Sequence, residues 1–546
     1  MTGTVRQEKG IIAILLLSIA LAYGNTYAVP FIFDDTFNIL ENSSIRHLWP
    51  PWHSFTIPED TGLAGRPVVN FSLAVNYAIS GTAVWSYHLV NLLIHLLATV
   101  TFFGIVRFTT ESIGDKDGQR DGLPWVAAGC ALIWGLHPLQ TQAVTYVIQR
   151  CESLMALFLM LTLYASLVGW RPKASNRWHL LAVLFFLLAV GSKESAVMAP
   201  FILLAYEWVF RKNDPVEAVR ESPVLYAGLT FGTLLAIAIS LTGNTWVTRT
   251  ESTPISAVTY WITQCQVILH YLYMAIWPAN LVIDYGWPAA TIGEAWLDVA
   301  AILTLIGLFA WALCKRQAIG FLGACFFLFL APTSLIPLPD SAFEHRMYLP
   351  LAALILLAAA TASLGYEYVK VSNLKVISTR ESRRKIAVTV VVSLALTLGV
   401  LTFQRNHDYR SEMAIWRDTI QKRPSNFRGY HGVGLALSRE GRFAEALGYF
   451  HYAIRLNPTN AYVQNDTGYL LFLMNRPGES IPFFREAIRL KPLNPKAYNN
   501  LGAALAQTSR LEEAILQFSM SLKLKPDNNP ARNNKFQAEA ELRKKI

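Results

Sequence analysis

The chain contains a long series of apolar runs, most of which are long enough to cross about 30 Å of hydrocarbon. Eleven runs can be delimited, at 10–29, 85–107, 124–138, 152–170, 178–192, 195–211, 223–242, 296–314, 318–337, 346–366 and 386–404. Hydrophobic residues make up 53% of the 546 residues and charged residues only 15%, which is the balance of a membrane protein rather than of a soluble enzyme. The sequence therefore predicts an all-α, polytopic membrane domain with about eleven spans.

The basic residues indicate how the spans are oriented. The net charge is +10, but Lys and Arg cluster in short segments between the apolar runs, which fits membrane orientation better than nucleic-acid binding. With a cytoplasmic N-terminus and an uncleaved first span, the basic loops fall inside only if 259–277 is re-entrant or interfacial rather than a full crossing. The five Cys residues have no metal-binding spacing, and no disulfide framework is expected.

Two adjacent carboxylates, Asp34 and Asp35, follow the first predicted span. Asp is among the costliest residues to place in a bilayer, so an acidic pair at a membrane exit is a candidate functional site. A carboxylate within hydrogen-bond reach can take the proton of a hydroxyl during group transfer. The alternative is that the pair caps the next helix and marks the water boundary.

Further polar motifs lie on the same predicted outer face. They contain the candidate phosphate-binding or substrate-binding residues Arg66, His137, Arg150, Lys193, His345 and Arg346. Arg offers a planar fork to phosphate oxygens, Lys a point charge, and both can stabilise a leaving phosphate. Lys193 and Glu194 can equally form a self-neutralising pair. The stripe His88, Asn91 and His95 shares one helix face, where packing between helices is favoured over substrate contact.

A 34-residue period begins after the last span. Gly434, Gly468 and Gly502 keep this spacing, and the Pro and Phe positions around them repeat in step. This period is typical of tetratricopeptide repeats, which form an α-solenoid. Three full repeats are predicted at 426–459, 460–493 and 494–527, after a degenerate leading helix and before a capping tail. Tyr430, Tyr462, Asn465 and Asn499 lie on the first helices of the repeats, so they are candidates for peptide binding; the alternative for the Tyr residues is ordinary repeat core.

Several motifs together resemble the transmembrane and tetratricopeptide repeat-containing O-mannosyltransferases and their bacterial relatives. They include Asp34-Asp35, Arg66-Pro67, Arg150-Cys151-Glu152, Lys193-Glu194-Ser195 and Glu344-His345-Arg346, followed by the repeats. The resemblance implies a GT-C membrane domain at 1–405 and a repeat domain at 406–546. It also implies a polyprenyl-phosphate-linked sugar as donor, a Ser or Thr hydroxyl as acceptor, and inversion at the sugar. Asp34 matches the catalytic acidic position, with Asp35 beside it.

The short repeat array suggests a bacterial inner-membrane protein with periplasmic repeats, the alternative being the endoplasmic reticulum with lumenal repeats. The expected partners are membrane lipid, the lipid-linked sugar and an acceptor protein held by the repeats; no nucleic acid is expected. No cofactor is assigned, and a metal requirement stays open because two carboxylates do not make a full ligand set. The alternative functions are a membrane-anchored repeat scaffold without catalysis, and a transporter, for which the spans lack visible internal symmetry.

Overall fold

The computed structural model describes residues 2–50, 52, 55, 57, 61–113, 123–241, 255–371 and 380–545. Residues 242 and 546, which end two of the predicted segments, lie outside these ranges. The described residues form helices and turns and contain no strand, as predicted. They divide into two compact units: unit 1 is Met1–Ile283 with Trp287–Ser411, and unit 2 is Asp284–Gly286 with Glu412–Ile546.

Unit 1 contains fifteen described α-helices. They are α1 (Thr2–Ala22), α2 (Pro67–Ser80), α3 (Val84–Ile113), α4 (Leu123–Gly135), α5 (Thr141–Thr145), α6 (Arg150–Gly169), α7 (Arg177–Val190), α8 (Ala199–Tyr206), α9 (Pro215–Glu221), α10 (Pro223–Leu241), α11 (Ala257–Ile276), α12 (Ile292–Cys314), α13 (Ala318–Leu335), α14 (Pro350–Val371) and α15 (Arg380–Asp408). Short 3₁₀ turns at Val147–Gln149, Glu194–Met198 and Glu344–Met347 lie directly before α6, α8 and α14. These turns carry most of the polar motifs predicted from the sequence.

Six helices among the described residues are long and apolar enough to cross a membrane. They are Val84–Glu111, Val147–Gly169, Pro223–Leu241, Ile292–Cys314, Ala318–Leu335 and Lys385–Asp408. Three shorter apolar helices accompany them, at Pro124–Gly135, Arg177–Val190 and Pro350–Ala362. The polytopic helical class is confirmed, whereas the count of eleven spans stays a prediction.

Two predicted spans differ from the helices in the structure. The run 10–29 is helical only to Ala22. The Thr26 hydroxyl donates to the carbonyl of Tyr23, and the Asn25 amide donates to the carbonyl of Phe403. Such side-chain hydrogen bonds compete with the backbone hydrogen bonds that would continue the helix. The run 195–211 is divided into a 3₁₀ turn, the eight-residue α8 and a π-helical turn that ends at Arg211. Apolar composition alone does not separate these forms.

The polar stripe on α3 packs inside unit 1. His88 donates from Nε2 to the carbonyl of Val29 (2.8 Å), and Asn91 donates to the carbonyl of Val144 (3.0 Å). The ring nitrogens of His95 lie 2.7 Å from the Tyr348 hydroxyl and 2.9 Å from the Gly135 carbonyl. Since these side chains are buried, such bonds join neighbouring segments inside unit 1 and support the packing interpretation.

Unit 2 is a stack of helix pairs. Its helices are α16 (Glu412–Lys422), α17 (Phe427–Arg439), α18 (Phe443–Leu456), α19 (Ala461–Leu473), α20 (Pro477–Leu490), α21 (Pro495–Gln507), α22 (Leu511–Leu524) and α23 (Asn529–Lys545). The first helix of each full repeat begins at an Asn whose side chain accepts a backbone N–H, at Asn426, Asn460 and Asn494. The cap therefore repeats with the same period as the packing residues.

The periodic glycines have a steric cause. A Cβ added at Gly434 would lie 2.4 Å from the ring of Phe450, and one at Gly502 would lie 2.6 Å from the ring of Phe518. Both Phe rings are buried, so only Gly lets the two helices of a repeat approach this closely. Local contacts of this kind explain why the repeat could be read directly from the sequence.

Candidate active site

The two carboxylates of the acidic pair, Asp34 and Asp35, lie in different environments. Asp35 is fully buried; its Oδ1 accepts the backbone N–H of Ile148 (2.8 Å) and its Oδ2 accepts that of Ile32 (3.1 Å). Burial raises the pKa of Asp35 to about 8, although the two N–H groups act in the opposite direction. Both oxygens are thus used to hold the loop that follows α1 against the turn before α6.

Asp34 is only half-buried, and its partner is Tyr146. The backbone N–H of Asp34 donates to the Tyr146 hydroxyl (2.9 Å), and the same hydroxyl hydrogen-bonds the Asp34 carboxylate. Phe33, the preceding residue, has a φ of 49° and stacks on the Tyr146 ring with 6.4 Å between centroids. A positive φ is strained for a bulky residue, so contacts with Tyr146 compensate for a costly backbone that orients Asp34.

Four of the ionisable motif residues form two ion pairs. Arg66 forms a forked pair with Glu194, with Nη2–Oε1 and Nε–Oε2 distances of 3.0 and 3.3 Å. Lys193 pairs with Glu152 of α6 rather than with its neighbour Glu194. Burial alone would raise the pKa of Glu194, but the charges of Arg66 and Lys193 hold it at about 2. At physiological pH, the Glu194 carboxylate is therefore ionised and balances the charge of Arg66.

Of the two ion pairs, the one between Arg66 and Glu194 is the more exposed to solvent. Its side chain is 12% exposed and that of Glu194 is 35% exposed, against 8% and 7% for Lys193 and Glu152.

Arg150, by contrast, is completely enclosed. Its Nε donates to Asn91 (2.6 Å), its Nη1 to Asn76 (2.6 Å), and its Nη2 to the carbonyl of Tyr87 (2.9 Å). A weaker contact to Ser72 completes the set. These contacts join the first turn of α6 to α2 and α3, so in this structure the guanidinium holds helices together.

His345 is a neutral hydrogen-bonding group that Gln142 holds in place. The amide nitrogen of Gln142 donates to the carbonyl of Ile283 (2.8 Å), so its oxygen faces His345 and accepts from Nδ1 (3.0 Å). Burial lowers the pKa of His345 well below its usual value, and the charges of Lys193, Arg346 and Arg66 act in the same direction. A neutral ring that donates from Nδ1 leaves Nε2 as an acceptor, which suits a hydroxyl rather than a phosphate.

His137 and Arg346 are used within the protein. His137 accepts the N–H of Leu139 on Nδ1 (3.2 Å) and donates from Nε2 to the carbonyl of Ala275 (3.2 Å). Arg346 donates to the carbonyls of Ser341 and Asp340, both at 2.7 Å. Each side chain thus fixes a turn in this structure, and a role in substrate binding stays a prediction.

Unit 1 brings part of the predicted set together. The charges of Arg66, Lys193 and Arg346 all act on His345, which Gln142 holds from α5. Tyr146, which holds Asp34, lies four residues after Gln142, directly past the end of α5. The short segment 141–146 therefore contacts both the acidic loop and the histidine within the cation cluster.

Among the described residues, no group of three His, Cys, Asp or Glu side chains is arranged to hold a metal ion.

The repeat residues occupy two settings. Asn465 accepts from Asn500 and Asn499 accepts from Asn534, each at 3.1 Å, while His431 contacts Asp466 at 2.9 Å. All three bonds join residues 35 apart, so they form one ladder between successive repeats. Tyr462 is 56% exposed and its hydroxyl accepts from Lys491 (3.0 Å), whereas the Tyr430 ring packs at a tilt against that of Tyr452, with 4.3 Å between centroids.

Comparison with known proteins identifies relatives for both parts of the chain. A family profile described as tetratricopeptide repeat matches residues 432–495 and 474–529. Human protein O-mannosyl-transferase TMTC3 is 23% identical over 494 residues, covering 80% of this chain and 50% of the relative. Drosophila melanogaster protein O-mannosyl-transferase Tmtc3 is 25% identical over 532 residues, covering 83% of this chain and 56% of the relative. The homologues of this chain are O-mannosyl-transferases.

The resemblance found in the motifs is thus confirmed at low identity over most of the chain, and the chain is an integral membrane protein. It spans about half the length of the O-mannosyl-transferases that it matches. Among solved structures, the apo oligosaccharyltransferase of Archaeoglobus fulgidus is 13% identical, with a TM-score of 0.40 over 73% of this chain and 56% of that chain. The Arabidopsis OM64 tetratricopeptide domain is 26% identical, with a TM-score of 0.21 over 22% and 96%.

Tyr146 is the site residue that sequence reasoning missed. It is 112 residues from Asp34, and no spacing or motif joins the two. The contact of Gln142 with His345 likewise spans 203 residues and had no sequence signal. Such pairs would emerge only from correlated changes among aligned relatives.

Proposed function

We propose that this chain is a membrane glycosyltransferase that moves a sugar from a polyprenyl-phosphate carrier to a Ser or Thr hydroxyl of a protein, at the outer face of the membrane. The observation that carries the proposal is the half-buried Asp34, which Tyr146 holds. Both carboxylate oxygens of the adjacent Asp35 already accept backbone N–H groups. The names of the relatives support the reaction class, and suggest mannose as the first sugar to test.

In the proposed reaction, the acceptor oxygen attacks the anomeric carbon as the bond from that carbon to the carrier phosphate breaks. Asp34 takes the hydroxyl proton, and the carrier phosphate leaves with the bonding electrons. Arg66 would meet the growing negative charge, because its side chain is the most accessible of the cations in the cluster. Asp35 is assigned a positioning role, and the Nε2 atom of His345 can accept from a substrate hydroxyl.

Transfer can be measured with the purified chain in nanodiscs. Radiolabelled polyprenyl-phosphate mannose and an acceptor protein are supplied, and label on Ser or Thr is quantified. Saturable transfer supports the proposal. If none occurs with any of several lipid-linked sugars, the scaffold alternative is favoured.

The repeats are proposed to bind the acceptor protein. The exposed Tyr462 offers an aromatic contact, and Asn465 and Asn499 lie along the ladder. In a bacterial cell, we propose that the repeats lie in the periplasm.

We expect Tyr146→Phe to reduce kcat by about 10-fold while leaving the KM of the donor nearly unchanged. The variant loses the hydroxyl that holds the Asp34 backbone and carboxylate. Because that hydroxyl favours the ionised carboxylate, the acidic limb of the pH–rate profile should move to higher pH. Tyr27→Phe, at an exposed tyrosine in the segment after α1, is the control. Lower kcat with an unmoved profile would mean that Tyr146 is only structural.

Arg66 and Glu194 can be tested as a matched pair. Arg66→Gln should raise the KM of the donor by roughly 10-fold, since a charge-assisted contact to phosphate is lost. Glu194→Gln removes the competing carboxylate and should leave that KM unchanged or lower it. If both variants lose the same activity and thermal stability, the pair is a structural ion pair and not a phosphate site.

A further inference from the structure

The two edges of the repeat array carry different charges. One edge is formed by the turns within repeats, in the windows 437–448, 471–482 and 505–516, which hold four basic and five acidic residues. The other is formed by the turns between repeats, in the windows 453–464, 487–498 and 521–532, which hold seven basic residues and one acidic residue. We call the second the inter-repeat edge. All windows have the same length and the same position within each repeat, so the difference in charge is a property of the two edges.

The edge within repeats is neutralised by one recurring ion pair. Each repeat places an Arg three residues before a Glu at the start of its second helix. The pairs are Arg442–Glu445 (2.7 Å), Arg476–Glu479 (2.6 Å) and Arg510–Glu513 (2.7 Å). This edge therefore presents little net charge to a partner.

The inter-repeat edge combines cations with exposed apolar side chains. Its basic residues are Arg455, Arg489, Lys491, Lys496, Lys523, Lys525 and Arg532, and its acid is Asp527. Six of the seven are exposed; the other, Lys491, contacts Tyr462, and Arg489 also pairs with Glu486. Between them, Leu493, Tyr462 and Leu456 are 62%, 56% and 38% exposed.

This combination identifies the chemistry of the partner. Long basic side chains beside Leu and Tyr are typical of surfaces that lie on lipid headgroups, where the cations meet phosphate and the apolar groups enter the interface. An acidic polypeptide would use the cations but would leave the leucines exposed. Only three residues separate α15, which contains a candidate span, from α16, so an array that docks on lipid would need no long linker.

We propose that the inter-repeat edge docks on anionic lipid headgroups. The docking does not depend on catalysis, so it can be tested whether or not the glycosyltransferase proposal holds. Screening weakens such contacts over about 10 Å at physiological salt, so docking should be sensitive to both lipid charge and ionic strength.

The test uses the full chain in nanodiscs, with Cys314 and Cys265 replaced by Ser. An environment-sensitive dye is attached at Leu493→Cys on the inter-repeat edge. The control dye site is Gly478→Cys in the same repeat on the opposite edge, where an added Cβ meets no atom within 4 Å. Nanodiscs of phosphatidylcholine alone are compared with nanodiscs that contain about 30% phosphatidylglycerol.

Anionic lipid should shift the emission of the residue-493 dye to the blue and reduce its acrylamide quenching roughly two-fold, while the residue-478 dye stays unchanged. About 1 M salt should reverse the effect. The triple variant Arg455→Glu, Lys523→Glu and Arg532→Glu should abolish it. The equally charged Arg543→Glu, Lys544→Glu and Lys545→Glu, in the last turn of α23, should retain it.

Two results would overturn the proposal. One is a residue-493 dye that does not respond to anionic lipid, or responds equally in pure phosphatidylcholine. The other is a response to soluble polyglutamate but not to phosphatidylglycerol, which would identify an acidic polypeptide as the partner.

Discussion

Asp34→Asn should lower the rate of sugar transfer by about 100-fold to 10,000-fold, the range that a positioned general base supplies. The amide cannot take the acceptor proton, yet it matches the carboxylate in size and can still accept from Tyr146. Because Asp34 is half-buried, the thermal stability should change little. Initial rates at saturating donor and a melting curve in the same detergent measure the two effects.

Glu41→Gln is the matched control, since it converts an exposed carboxylate on the same loop to an amide. It should retain full activity. Asp35→Asn separates the two members of the acidic pair: an amide nitrogen would face one of the backbone N–H donors, so this variant should lose stability as well as activity. Undiminished transfer by Asp34→Asn would reject Asp34 as the base.

Arg150→Met should destabilise unit 1 by about 2–6 kcal/mol, because two buried amide oxygens lose their donor and each unsatisfied buried polar group costs about 1–3 kcal/mol. The oxygens of Asn76 and Asn91 would lose their donor in a fully buried site. The melting temperature of the solubilised protein should fall by roughly 10 °C, with a lower yield of folded protein.

Arg177→Met, at the exposed start of α7, serves as the control and should leave the melting temperature unchanged. Binding of a carrier phosphate by Arg150 would give a different result. In that case Arg150→Met would fold normally and lose kcat/KM for the donor, in the manner expected of Arg66→Gln.

The repeats could be predicted because their information is local. Gly434 and Phe450 contact each other within one helix pair, and the same pair of types returns every 34 residues. Long apolar runs likewise indicate membrane helices. The end of the first helix at Ala22 was missed, since it depends on the contact of Asn25 with Phe403, which is distant in the sequence.

The candidate site was only partly predictable. The residue types identified Asp34 and the cations, but they did not show which acidic and basic side chains form ion pairs with each other. Sequence adjacency suggested that Lys193 pairs with Glu194, whereas the fold pairs Lys193 with Glu152 and Glu194 with Arg66. Arg150 had the chemistry of a phosphate ligand, and only the packing of α2 and α3 shows that its donors are used inside the protein.

The ladder of side chains 35 residues apart makes the array modular. Excision of the 34 residues 460–493 would bring Asn500 opposite His431, so a polar partner would again meet the histidine where Asp466 does now. Duplication of such a segment would add one more hydrogen bond of the same ladder and would not require a new kind of contact between repeats. Evolution can therefore lengthen or shorten the repeat array by whole repeats without altering the helices of unit 1.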